Sequence, residues 1–176
     1  MSNNIFGSPW QTVKRKVFMS YHHGGDQAFY DAFSKTFCGT YDVITDNSLE
    51  RRIDSEDVNY VIRRIREAYI AGSSCTIVLV GKDTWGRKYV DWEIKATLEK
   101  EHGLIGVRLP TAPVTPQNKV TVPQRLYDNI QSGFALWLTW EQITAGGQVC
   151  TQFIEQANGR GKNLIAASCE QRLRNA

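Results

Sequence analysis

The chain has 176 residues, 41% of them hydrophobic and 22% charged, with 21 basic against 18 acidic side chains for a formal net charge of +3. That length suits one domain with a full core, since a chain of this size buries about 70% of the surface it exposes when unfolded. The charge balance is too mild to point to nucleic acid, and no apolar run approaches the roughly 20 residues that a membrane-spanning helix needs. No apolar signal core precedes Lys14, Arg15 and Lys16, so a cytoplasmic location is expected. The four cysteines, Cys38, Cys75, Cys150 and Cys169, lie too far apart for a zinc or redox pair. The apolar company of Cys38 and Cys75 predicts buried free thiols.

Residues 1–14 read as a polar extension carrying Trp10, and residues 15–176 as one domain. Lys16 to Tyr21 (KVFMSY) predicts a first strand that stops at His22-His23-Gly24-Gly25-Asp26, with Asp26 as a helix cap. Phe29, Ala32, Phe33 and Phe37 recur at helical spacing after it. Tyr41 to Thr45 predicts the second strand, and a long charged loop runs from Asp46 to Asp57. Ser55, Glu56 and Asp57 have the character of a helix start. Val58, Val61, Ile62, Ile65, Ala68 and Tyr69 form the stripe of that helix, with Arg63, Arg64 and Arg66 outside it and Gly72 at its end.

Cys75 to Val80 (CTIVLV) is apolar throughout, as a strand covered on both faces should be. A loop from Gly81 to Arg87 leads to a helix over 89–101 with Val90, Ile94, Thr97 and Leu98 inward, then to a strand from Leu104 to Leu109. Four prolines make 110–123 a surface excursion. A short helix over 124–131, a strand from Phe134 to Trp140 and a helix around Val149 to Ala157 complete the pattern. Alternation of this kind predicts an α/β fold with a five-stranded parallel sheet between helices, in the flavodoxin-like order 2-1-3-4-5. Such sheets bind ligands at the carboxyl ends of the strands where the order reverses, here between the loops at Ser20–Asp26 and Gly81–Arg87.

Glu93 stands at the border of a buried helical stripe near this crevice. It reads either as a functional carboxylate or as a surface glutamate. Ser20, Tyr21, His22, His23 and Asp26 follow the first strand, and strand ends of this kind supply groups to a ligand. The histidines suit acid–base work or, equally, a polar loop. Trp85, Tyr89 and Trp92 offer faces for a base or nicotinamide ring, or core packing; Asp46 offers a ribose contact, or a turn. Phosphate-loop, dinucleotide and serine-hydrolase signatures are absent from the sequence, no metal set is spaced for binding, and Ser20-Tyr21 replaces the acidic cluster of a phosphoacceptor.

Lys16 to His22 (KVFMSYH), Asp46, Cys75 to Gly81 (CTIVLVG) and Thr84 to Ile94 (TWGRKYVDWEI) together resemble TIR domains, and among them the TIR-like subunits of the bacterial Thoeris anti-phage system. Val17 to Tyr21 matches the first-strand run, and Tyr89-Val90-Asp91-Trp92-Glu93 matches the helix motif that ends in a glutamate, with Val90 in place of its usual cysteine. The likeness covers about residues 15–109. It implies cleavage of the nicotinamide–ribose bond of NAD+, with Glu93 as the catalytic residue and Ser20, Tyr21, His22, Asp46, Trp85 and Trp92 as the substrate-binding set. NAD+ would be the substrate, with no cofactor. It further implies an ADP-ribose-derived nucleotide signal that switches on a partner effector, self-association in the active state, a phage trigger, and no nucleic-acid or membrane partner. Two alternatives fit the same fold: a non-catalytic TIR self-association module, and another N-glycosidic enzyme such as a nucleoside deoxyribosyltransferase.

Overall fold

The computed structural model describes residues 14–45 and 56–176. The extension with Trp10, together with Asp46 and Ser55 of the charged loop, lies outside the described residues. Five parallel strands, β1 (Arg15–Ser20), β2 (Tyr41–Thr45), β3 (Cys75–Val80), β4 (Gly103–Arg108) and β5 (Leu136–Thr139), form one sheet in the order β2-β1-β3-β4-β5. This is the expected α/β topology. The helices are α1 (His23–Phe37), α2 (Val58–Ile65), α3 (Lys88–Glu99), α4 (Gln124–Gln131), α5 (Trp140–Ile143) and α6 (Gly147–Asn158).

The two-residue period of each strand sorts the core into two layers. Val17 and Met19 of β1, Ile77 and Leu79 of β3 and Leu136 and Leu138 of β5 meet Phe33 and Phe37 of α1 and Ile154 of α6 on one face. The alternate positions point the other way. Phe18 packs with Val61, Ile62 and Ile65 of α2 and with Trp92 and Ala96 of α3. Val78, Val80 and Leu104 pack with Val90, Ile94 and Leu98 of α3 and Leu126 of α4. Val90 is 2% exposed, so it fills the usual cysteine position as a core residue. Among the described residues no helix is long and apolar enough to cross a membrane.

Several local expectations change. Helix α1 starts at His23 with His22 as its N-cap residue, so Asp26 lies inside the first turn rather than capping it. Cys38 is exposed, because it follows the last turn of α1 on the outside, whereas Cys75 is buried in β3. Asp57 caps α2 by accepting hydrogen bonds from the amides of Asn59 and Tyr60. The helix then widens into a π-turn over Arg66–Ile70, and Gly72 follows at φ +89°, a conformation that favours glycine.

The expected strand from Phe134 to Trp140 is cut short at Thr139. The Thr139 side chain accepts from the Gln142 amide while Gln142 reaches back to the Thr139 amide, a capping box that turns the chain into α5. Residues 110–123 include an isolated bridge between Val114 and Val120. After α6 and a 3-10 turn at Lys162–Leu164, the chain runs without regular structure across α4 and α3.

Candidate functional site

Ser20 ends β1 on the same face as Phe18, so its hydroxyl looks toward α3. There it donates to Oε2 of Glu93, in the middle of that helix. Both groups are buried, at 1% and 5% exposure. The helix is stitched to the sheet just below. The Thr97 hydroxyl donates to the Glu93 carbonyl at 2.8 Å and lies 2.7 Å from the hydroxyl of Thr76 on β3. Glu93 therefore has a fixed helix beneath it and a fixed donor beside it, at the carboxyl end of β1 where the strand order reverses.

The second loop of the crevice is tied to the first through Asp26. The Thr84 hydroxyl donates to Asp26 Oδ2 at 3.0 Å and accepts from the Gly81 amide at 2.9 Å. Asp26 lies so close over Gly81 that a Cβ there would stand 2.0 Å from Oδ1, so only glycine fits. Burial pushes the Asp26 carboxyl above the ordinary carboxylate value, opposed by the Thr84 hydrogen bond and the nearby His22. The sequence offers Asp26 both as a helix cap and among the ligand-facing groups that follow β1, but not as the tie between the two loops. A lone acid following two glycines, facing a Gly-x-x-Thr loop, is the signal that marks it.

Of the expected substrate-binding residues, Ser20 meets Glu93 directly. The His22 ring curls over the first turn of α1, within 3.1 Å of where a Gly24 Cβ would stand, and its backbone carbonyl accepts from the amides of Gly25 and Asp26. Tyr21 turns to the opposite face of the sheet. It is 3% exposed, stacks on Tyr30 with centroids 4.9 Å apart and donates its hydroxyl to Gln27. Trp85 is 39% exposed on the 3-10 turn Thr84–Gly86. Trp92 is buried among α2 and β1 residues, and its indole N–H donates to the Arg172 carbonyl at 2.7 Å. Its ring faces are occupied by packing rather than presented to the crevice. Asp46 lies outside the described residues.

One buried group near Glu93 escaped the sequence reading. Asp91 accepts from Arg125 Nε at 2.9 Å, and from the guanidinium again at 3.4 Å, in an ion pair closed to solvent. It also accepts from the backbone amide of Arg172 at 3.0 Å. Nothing local announces this, because the partners come 34 and 81 residues later.

Taken as chemistry, the site offers a carboxylate whose orientation is set by a serine hydroxyl and a rigid helix. Such a group suits the stabilisation of positive charge developing on a substrate held beside it. The exposed Trp85 offers a flat apolar surface at the same edge.

Comparison with known proteins bears on this site. The family described as Thoeris protein ThsB, TIR-like domain, matches residues 18–113, a span that includes both Ser20 and Glu93. No curated protein matches the chain. Among solved structures, the chain is similar to the TIR domains in the structure of the activated Roq1 resistosome directly recognizing the pathogen effector XopQ. That likeness has 14% sequence identity and a TM-score of 0.39, and covers 81% of this chain and 70% of that one. The family match spans more than half of the chain and contains both loops of the crevice and the whole of α3. The chain belongs to the TIR-like domain family of the Thoeris protein ThsB.

Proposed function

We propose that the protein is a TIR-type NAD+ glycohydrolase or cyclase that releases nicotinamide and forms an ADP-ribose-derived nucleotide signal for a partner effector in anti-phage defence. The observation that carries this reading is the Glu93 carboxylate, buried at the carboxyl end of β1 and oriented by Ser20. Family membership supports it.

Loss of nicotinamide leaves positive charge on the ribose, as in glycoside cleavage, and a fixed carboxylate beside the ribose stabilises that charge. Nicotinamide leaves from a cationic ring, so no strong acid is needed to protonate it. The group that then attacks the ribose, water or another part of the same nucleotide, decides between hydrolysis and cyclisation. In this reading Ser20, His22, Trp85 and Asp46 contact substrate. Tyr21 and Trp92 support the site through the packing described above. At 5% exposure, Glu93 meets substrate only when the loops at Ser20–Asp26 and Gly81–Arg87 open. Self-association of TIR domains offers a way to couple that opening to a trigger.

The test is nicotinamide release from NAD+ by the purified protein and by Glu93→Gln, at high protein concentration and with lysate from infected cells. Release by the native protein, reduced by roughly 100-fold or more in the variant, is the expected result. Equal release from both proteins removes Glu93 from the chemistry. No release from either, with the fold intact, favours the non-catalytic interaction module.

A further inference from the structure

The residues beyond the family match end on the helix that carries Glu93. Helix α3 has the sheet beneath it and α2 and α4 beside it, and its outer side is crossed by the segment 170–176. Five hydrogen bonds fix that crossing. The Trp92 indole donates to the Arg172 carbonyl, the Arg172 amide donates to Asp91, and Lys95 donates to the Gln171 side chain. The Lys88 amide, unsatisfied within the helix, donates to the Asn175 side chain at 3.0 Å, and the Ala176 amide donates to the Gly86 carbonyl at 3.0 Å. Arg125 ties the same segment to α4 by donating to the Glu170 carbonyl as well as to Asp91. Asp91, two positions from Glu93, therefore joins α3 both to α4 and to the crossing segment.

We propose that Asp91 is a positioning residue for the site: by accepting from the Arg172 amide, with Arg125 balancing its buried charge, it sets the rotation and seating of α3 at which the Glu93 carboxylate meets Ser20. A helix turned by about ten degrees moves a side-chain end by about 1 Å, enough to cost a reaction roughly 100-fold. The ion pair itself contributes little net stability that well-packed apolar residues could not replace. Removal of one partner alone leaves a buried charge and destabilises strongly. The arrangement thus fits position better than cohesion. The activity arm of the test rests on the reading of Glu93 as the reacting carboxylate; the exchange arm does not.

The experiment compares two double variants of the full chain, both carrying Arg125→Met so that no charge is left buried alone. One adds Asp91→Leu, which removes the acceptor for the Arg172 amide; the other adds Asp91→Asn, which keeps it. Expected for the leucine variant is a cooperative melt, amide exchange over residues 88–94 faster by about tenfold or more, and kcat for nicotinamide release lower by roughly 10- to 100-fold with KM nearly unchanged. The asparagine variant is expected to keep slow exchange and most of kcat. Arg172→Pro, which removes the donating amide together with the arginine side chain, gives the same pattern more weakly and serves if either double variant fails to fold.

Equal exchange and equal kcat in the leucine and asparagine variants overturn the proposal, as does a parallel loss of both that follows stability alone. If the native protein releases no nicotinamide, the proposed reaction fails. The exchange difference over 88–94 then decides the role of Asp91 by itself.

Discussion

Beneath α1 and α6 the sheet carries Val17, Met19, Ile77, Leu79 and Ile105 in one apolar cluster with Phe33 and Phe37. Burial pushes the Cys150 thiol up to about 11 and raises that of Cys75 further still. The opposite face, beneath α2, α3 and α4, is as well buried but holds Ser20, Glu93, Thr76, Thr97, Asp91, Arg125 and Asn129. Each polar group in that layer has a named partner. Asn129, for example, exchanges two 3.0 Å hydrogen bonds with the Ala166 backbone. The apolar layer adds cohesion without direction. The polar layer adds direction at little net gain in stability, since each buried hydrogen bond contributes only about 1 kcal/mol. The crevice is built on the second.

Three substitutions probe that division. The largest effect is expected from Phe33→Ala on the apolar side, where the ring is fully buried and packs on Phe37 with centroids 4.6 Å apart. A loss of about 3–5 kcal/mol is expected in urea unfolding, with amide exchange at α3 following the global change only. Selective loosening of α3 in this variant would break the comparison.

Gly81→Ala comes next. Its Cβ would overlap the Asp26 carboxylate, and the expected cost is about 1–3 kcal/mol by the same measurement. In an Asp26→Ala background most of that cost should vanish. Persistence there would mean that the backbone rather than the carboxylate demands glycine.

The smallest effect is the pH response of Asp26→Asn. The folded-state pKa of Asp26 is raised above its ordinary 3.8 by burial. The stability it contributes is therefore complete below that value and is lost as pH rises through the folded value. The asparagine variant can still accept from Thr84. Its melting temperature relative to the native protein is thus expected to rise by a few degrees at most between acid and neutral pH. A fall over that range would show that the ionised form is the stabilised one.

Much of this plan was legible in the chain. CTIVLV announces a strand covered on both sides, and β3 occupies those residues. Tyr41–Thr45 and Gln124–Gln131 fall where spacing and punctuation put them. Ser20 and Glu93 were both candidates, one from the end of a strand and one from the edge of a helical stripe. The contact between them adds what no local pattern contains, because 73 residues separate them.

The failures share a cause. Asp91 and Lys95 give the outer side of α3 a half-exposed look, yet Asp91 is buried, because the later segment 170–176 covers that side and supplies partners. Trp92 looked available for stacking for the same reason. Asp26 looked like a cap because an acid after glycines commonly is one. Its actual partner, Thr84, lies 58 residues away.

The partners of Asp91 also set an order of events during synthesis. When the ribosome has delivered residue 113, the whole family-matched span exists, with both Ser20 and Glu93 in it. Arg125 and Arg172 have not yet been made, and neither has β5 at the sheet edge. A nascent chain at that length has the Glu93 carboxylate but not the groups that hold its helix through Asp91, so the crevice can reach the form described only after residues 114–176 have emerged and docked.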